Sequence, residues 1–197
     1  MEKLNSYFDE IESRIDEVYE DLKRIKGSIK VSSTSQKEAV LLSAAVMGIP
    51  TDNYLYGYEN LVLNISILMD VDNNSLNLSK ILNKIQSNPK LYMLDEVKLN
   101  KDYKVAQQMF DAINNNPIYI DIVKQRDKLV AHCDLNFEDI SSKLDLGKIS
   151  ILSRDITLLI EFIFSWFKRQ LTPFNEDESN IEVIYKLYKK AGTPLFL

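Results

Sequence analysis

The sequence predicts an all-α fold, a helical bundle that forms a single domain over residues 1–197. Three observations lead to this prediction. Apolar residues recur at spacings of three and four over long stretches, as one face of a helix requires. Caps, prolines and glycines separate these stretches where helices would begin and end. The sequence contains no β-hairpin signal and no internal repeat.

The first predicted helix covers residues 3–30 and is amphipathic. Its apolar seam alternates spacings of four and three without a miss: Leu4, Phe8, Ile11, Ile15, Val18, Leu22, Ile25 and Ile29. A narrow seam of this kind suits either a helix of the chain's own bundle or an intermolecular coiled coil. Because the seam is only about four heptads long, the bundle is favoured.

Four shorter helices are expected before the central part of the sequence. Ser35-Gln36-Lys37-Glu38 has capping-box spacing and opens the first of them, which ends before Gly48-Ile49-Pro50. Apolar periodicity predicts the other three, the second of which stops at Asn88-Pro89. The expected ranges are about 35–47, 53–69, 78–88 and 101–113.

The next helix contains Arg126 and His132, the only histidine of the chain. Asn116 is a good N-cap and Pro117 suits the first helical position. An arginine in the middle of an apolar arc is unusual, because a buried guanidinium needs a partner or a wet cavity. On an ideal helix Arg126 falls near the middle of such an arc, which consists of Tyr119, Ile122, Leu129, Val130 and Cys133.

The last part of the chain contains two predicted helices. Residues 149–170 are apolar on nearly all sides, which is typical of a helix at the centre of a bundle, and Pro173 is expected to end it. A final helix is predicted over residues 180–191. The tail Pro194-Leu195-Phe196-Leu197 is apolar and is expected to dock on the body or on a partner.

Composition narrows the possible functions. A net charge of -5 argues against a general nucleic-acid coat but allows a local basic cleft. One cysteine and one histidine supply no zinc ligand set, and five scattered glycines form no phosphate-binding loop. We therefore expect no metal and no cofactor. Since neither a signal peptide nor a membrane span is visible, we expect a cytoplasmic protein with no membrane partner.

Arg126 and His132 together suit phosphodiester chemistry without a metal. A histidine exchanges protons near neutral pH, and an arginine binds a phosphorane through forked hydrogen bonds. Asp127 could hold either side chain in place. On an ideal helix Arg126 and His132 lie about 120° apart, so one copy forms no compact pocket, whereas a two-fold dimer would bring two copies together. The alternative is a structural arginine followed by a helix-end histidine.

The segment Arg126-Asp127-Lys128-Leu129-Val130-Ala131-His132-Cys133-Asp134 resembles the Arg-polar-(x)-His signature of HEPN domains, the "higher eukaryotes and prokaryotes nucleotide-binding" superfamily. It is most similar to the abortive-infection AbiU-type branch. The stretch from Asn60 to Ile85 is similar to that branch's apolar helix, Asp-containing turn and Ser-Leu-x-Leu helix start. The resemblance covers about residues 50–135, and with the later apolar helix it implies a HEPN-like core of about 50–170.

The resemblance implies a bundle that dimerises with its two motifs facing each other. Active members of the superfamily are metal-independent ribonucleases. By that analogy His132 is the general acid or base for attack of a 2′-hydroxyl on the adjacent phosphate, which leaves a 2′,3′-cyclic phosphate. Arg126 stabilises the developing charge, and Asp127 orients one of the two. Lys128 is a candidate RNA contact, although a solvated helix face explains it equally well.

HEPN ribonucleases act in phage defence or as toxins of toxin–antitoxin pairs. The resemblance therefore implies three partners: an RNA substrate, a second copy of the chain, and an antitoxin or regulatory protein. Some HEPN toxins are silenced by modification of a tyrosine two residues after the histidine, and this chain has Asp134 there. The alternative is a non-catalytic HEPN-like scaffold that binds a partner through the N-terminal seam or the apolar tail.

Overall fold

A computed structural model of the chain describes residues 2–32, 53–70, 76–92, 96–131 and 145–172. Within these ranges the protein is all helical and contains no strand, which confirms the predicted fold class. The α-helices are α1 (Glu2–Ser32), α2 (Asn53–Met69), α3 (Leu78–Ser87), α4 (Glu96–Asn114), α5 (Pro117–Ala131) and α6 (Leu146–Ser165), with a short 3₁₀ helix at Pro89–Tyr92.

Some of the predicted features lie outside the described ranges. They are the predicted helices at 35–47 and 180–191, the apolar tail, and His132 and Cys133. In the part of the chain that the structure describes, no helix is both long and apolar enough to cross a membrane.

Helix α1 buries its apolar seam against the chain's own bundle. Seven of the eight seam residues are buried, and the last one, Ile29, is exposed. The main partner of α1 is α2. Gly57 lets the two helices approach closely, because a Cβ at this position would lie 3.1 Å from Cγ1 of Ile25. The seam therefore supports the bundle rather than a coiled coil between chains.

Helix α6 packs against α4, α1 and α5 and contributes buried residues from almost every turn. Its two buried hydroxyl groups are satisfied locally. Ser153 Oγ donates to the carbonyl of Ile149 at 2.9 Å, and Thr157 Oγ1 donates to the carbonyl of Ser153 at 2.9 Å. Thr157 Oγ1 also lies 3.1 Å from the hydroxyl of Tyr19 on α1. These contacts join the apolar helix to α1 and pair the hydroxyl groups of both Ser153 and Thr157.

The ends of α6 differ from the prediction. The helix begins at Leu146 because Asp145 caps it, accepting hydrogen bonds from the backbone N–H of Gly147 at 2.9 Å and of Lys148 at 3.2 Å. It ends at Ser165, five residues before the predicted end at Gln170. Lys168 has a φ of 55°, and the N–H of Arg169 reaches back to the carbonyl of Phe164 at 3.2 Å. A Schellman-type turn, and not Pro173, therefore ends α6.

Helix α5 begins as the sequence predicts. Pro117 is its first residue, and Asn116 Oδ1 accepts a hydrogen bond from the N–H of Ile118 at 2.9 Å. The helix packs mainly on α2 and makes smaller contacts with α6 and α4. This packing brings the Arg126 segment of α5 to the carboxyl-terminal end of α2.

Candidate active site

Arg126 lies where α5 meets the end of α2. Asp70 follows the last residue of α2, and its Oδ2 is 3.7 Å from Nη1 of Arg126. This ion pair is longer than a hydrogen bond. The two side chains have similar exposure, 27% for Arg126 and 29% for Asp70. Asp70 is thus a carboxylate partner, from another helix, for the arginine in the middle of the apolar arc.

Asp127 contacts a different edge of the same guanidinium. Its Oδ1 accepts a hydrogen bond from Nε of Arg126 at 3.0 Å and another from Nη2 at 2.9 Å. The Asp127 side chain is 63% exposed. The sequence left open whether Asp127 contacts Arg126 or His132. In the structure Asp127 contacts the guanidinium of Arg126.

Tyr119 and Ile122 form the inner side of this site. Both are buried on α5, and Tyr119 is two helical turns before Arg126, so the two share a face. Burial raises the pKa of the Tyr119 hydroxyl to about 12. The nearby carboxylate of Asp70 contributes to this rise in pKa, while Arg126 acts in the opposite direction. The phenol therefore stays protonated and neutral beside the ion pair at physiological pH.

Among the predicted site residues, the structure brings together Arg126 and Asp127. Lys128 is exposed in the last turn of α5. His132 comes directly after Ala131, the last described residue of α5, so its position relative to Arg126 stays a prediction. Sequence reasoning did not assign Asp70 and Tyr119 to the site. The available signal was the apolar arc, which required a partner for Arg126 but did not say which residue supplies it.

Opposite charges also balance one another along the exposed part of α5 and at its contact with α2. On the exposed side of α5, Nζ of Lys124 lies 3.0 Å from Oδ1 of Asp121. The three cationic side chains Lys124, Arg126 and Lys128 are matched by three carboxylates. The carboxylates belong to Asp70, Asp121 and Asp127. The described surface at the motif is therefore mixed in sign and not a basic patch.

A groove of about 590 Å³ between α1 and α2 is predominantly acidic. Four carboxylates line it, those of Asp16, Glu17, Glu20 and Asp21, with Arg24 as the opposing cation. Burial raises the pKa of Asp21 to about 6, against the charge of Arg24. Burial and the charges of Glu12 and Glu20 also raise the pKa of Asp16. An anionic groove repels a phosphate backbone, so this face does not suit RNA.

Another groove, of about 320 Å³, lies between α4 and α6. It is lined mainly by apolar side chains, and its acidic member is Asp155. The lining residues are Met109, Ala112, Ile113, Asn116, Asp155 and Leu158. It offers no cation for a phosphate, which leaves the Arg126 site as the better candidate for phosphodiester chemistry.

In the described residues, no group of three or more His, Cys, Asp or Glu side chains could hold a metal ion. Comparison of the chain with protein-family models, curated proteins and solved structures finds no match. The resemblance to HEPN domains therefore depends only on the motif and on the stretch from Asn60 to Ile85.

Proposed function

We propose that this chain is a metal-independent endoribonuclease of the HEPN type. The proposal is based on the exposure and the contacts of Arg126. Its guanidinium is about a quarter exposed, lies between two helices, and has its Nε and Nη2 edge on an exposed carboxylate. A forked cation at the surface, six residues before the only histidine, suits recognition of a phosphate.

The proposed reaction needs one proton acceptor and one proton donor. His132 accepts the proton of a ribose 2′-hydroxyl, and the oxygen attacks the adjacent phosphorus. The bond from phosphorus to the 5′-oxygen then breaks, and that oxygen takes a proton from an acid. The products are a 2′,3′-cyclic phosphate and a 5′-hydroxyl. Arg126 donates hydrogen bonds to the non-bridging oxygens, on which negative charge grows in the transition state.

A homodimer through the motif face supplies the missing group in this scheme. One chain has a single histidine, and a second copy contributes another that can serve as the acid. Lys128, exposed one turn from His132 in the sequence, is available to contact the RNA backbone. In this proposal the protein acts in phage defence or as a toxin, under the control of an antitoxin or regulatory protein.

A non-catalytic HEPN-like scaffold is the second candidate. The balanced charge around Arg126 favours it, because a guanidinium between two carboxylates is also what a purely structural arginine looks like. In this case Arg126 ties α5 to α2, and the protein works by binding a partner. Cleavage activity separates the two candidates.

The test is cleavage of a mixed-sequence RNA in excess EDTA by wild-type protein and by His132→Ala. Circular dichroism establishes that the two proteins are equally folded. The ribonuclease proposal expects cutting by the wild type alone, with 2′,3′-cyclic phosphate ends. Cutting by neither protein would support the scaffold. Equal cutting by both would place the chemistry at residues other than His132 and contradict the proposed mechanism.

A further inference from the structure

The two carboxylates at Arg126 hold its guanidinium in different ways. Asp70 comes from another helix, is 29% exposed and approaches Nη1. Asp127 is the next residue on the same helix, is 63% exposed and takes both Nε and Nη2 on a single oxygen. The first contact fixes Arg126 relative to α2, whereas the second fixes it only relative to its own neighbour.

The edge occupied by Asp127 is the one that suits a phosphate. Nε and Nη2 of arginine point in the same direction and form a fork that matches the oxygens of carboxylate or phosphate groups. In this structure Oδ1 of Asp127 is 3.0 Å from Nε and 2.9 Å from Nη2. It therefore has the position that a phosphate oxygen needs. An exposed ion pair is weak, so an incoming phosphate can replace it.

Asp70 and Asp127 do not share an edge of the guanidinium. Asp70 pairs with Nη1, which is outside the Nε and Nη2 fork. Tyr119 is buried and close enough to both charges for them to shift the pKa of its hydroxyl. The Nη1 side can consequently keep its partner when the ligand on the Nε and Nη2 edge changes.

We propose that the two aspartates have opposite roles at Arg126. Asp70 is a positioning residue that holds the guanidinium at Nη1. Asp127 occupies the Nε and Nη2 edge until a backbone phosphate of RNA replaces it, so it competes with the ligand rather than orienting the site. This inference rests on the proposed function for the identity of the ligand.

Binding of a fluorescein-labelled, mixed-sequence 2′-O-methyl oligoribonucleotide tests the role of Asp127, because the blocked 2′-oxygen prevents cutting. Asp127→Asn is compared with Asp121→Asn, which makes the same change in net charge on the same helix but lies beside Lys124. We expect Asp127→Asn to bind about threefold tighter than Asp121→Asn by fluorescence anisotropy at low salt. In an Arg126→Ala background the difference disappears. Equal affinity of the two variants, or a difference that survives Arg126→Ala, would overturn the role of Asp127.

The role of Asp70 is tested in the same assay by a double-mutant cycle. If Asp70 positions Arg126, the gain from Asp127→Asn is smaller in an Asp70→Asn background than in the wild type. An unchanged gain would overturn the role of Asp70. A second measurement is the cutting of unmodified RNA at saturation, which we expect Asp70→Asn to slow by about tenfold or more. A slowing that only follows the unfolded fraction, measured by thermal unfolding, would also contradict a positioning role.

The outcome separates this inference from the proposed function. If the wild type cuts no RNA, the ribonuclease proposal fails, while the binding cycle still decides whether Asp70 and Asp127 act through Arg126. If the wild type cuts RNA and the cycle shows no coupling, the ribonuclease proposal stands and the division of roles is wrong.

Discussion

Arg126 and Arg169 are nearly equal in exposure, at 27% and 25%, and each lies beside two carboxylates. Their partners differ in distance and in origin. Arg169 Nη2 is 2.7 Å from Oδ1 of Asp9 and 2.6 Å from Oε2 of Glu12, both on α1. Arg126 has one partner at 3.7 Å and another on the adjacent residue. Arg169 therefore joins two distant parts of the chain, and Arg126 does so only loosely.

The surroundings of Arg169 strengthen its role as a structural tie. Its guanidinium lies 5.1 Å from the ring centre of Phe164 and 5.8 Å from that of Phe8. Thr172 adds hydrogen bonds to Glu12 from its N–H at 3.0 Å and from its hydroxyl at 2.6 Å. Burial alone would lower the pKa of Arg169, but hydrogen bonds and charges from Glu12 and Asp9 outweigh it and raise that pKa. Asp9, Glu12, Arg169 and Thr172 thus form one connected cluster.

Arginines of similar exposure and charge surroundings therefore need not have the same role. At Arg169, short bonds between distant residues leave little reason for exchange with a ligand. At Arg126, the closest bonds go to the exposed side chain of the next residue on the same helix. An arginine whose Nε and Nη2 edge is held this weakly can change partners at that edge, which is what binding of a phosphate requires.

The largest expected effect of breaking the Arg169 cluster comes from Glu12→Gln. We expect this variant to lose about 2 kcal/mol of unfolding free energy at neutral pH, because a charged acceptor of three hydrogen bonds becomes neutral. Urea unfolding followed by circular dichroism measures it. An unchanged stability would show that the Arg169 cluster is no stronger than the Arg126 site.

The same variant has a defined pH signature. Burial raises the pKa of Glu12, but hydrogen bonds from Thr172 and Arg169 outweigh it and hold that pKa below its ordinary value of 4.5. The ionised carboxylate thus stabilises the folded state above about pH 4.5, and this stability is lost as the pH falls through the folded pKa. The stability difference between wild type and Glu12→Gln should therefore shrink in acid.

A smaller effect of opposite sign is expected at Asp21, also on α1. Burial raises its pKa from 3.8 to about 6, although Nη1 of Arg24 lies 3.1 Å from its Oδ1. Between about pH 4 and pH 6 the folded state holds a proton that the unfolded state releases, so stability falls as the pH rises through this window. Asp21→Asn removes the buried charge and should stabilise the protein by about 1–2 kcal/mol at neutral pH.

Urea unfolding at neutral pH and at about pH 4 tests this prediction, since the gain should nearly vanish in acid. A loss of stability in Asp21→Asn at neutral pH would mean that the pair with Arg24 outweighs the cost of burial. The ionised carboxylates of Glu12 and Asp21 would then both stabilise the folded state.

Much of the fold could be predicted because its signals are local. The seam of α1 was visible as a three-and-four spacing, and the start of α5 as Asn116 followed by Pro117. The end of α6 could not be predicted from the sequence. Lys168 adopts a positive φ there, and glycine is the residue that usually signals such a position. Helix seams and helix starts can be predicted from residues that are close in the sequence. A residue with a positive φ depends on the tertiary packing around it.

The candidate site shows the same division. The apolar arc around Arg126 predicted that this side chain needs a partner, and Asp127 was available as its neighbour. Asp70 was not predictable as the second partner, because its approach depends on how α2 crosses α5. Tyr119 was placed on the arc, but its closeness to Asp70 has the same tertiary origin.

The most direct test of the account compares Arg126→Ala with Arg169→Ala in two measurements, RNA cutting per folded molecule and unfolding free energy in urea. The account predicts that Arg126→Ala cuts at least about 100-fold more slowly while losing less than about 1 kcal/mol of stability. It predicts that Arg169→Ala loses about 2 kcal/mol while each folded molecule cuts at the wild-type rate. Equal losses of stability in both variants, with cutting that only follows the unfolded fraction, would contradict it and make Arg126 a structural residue.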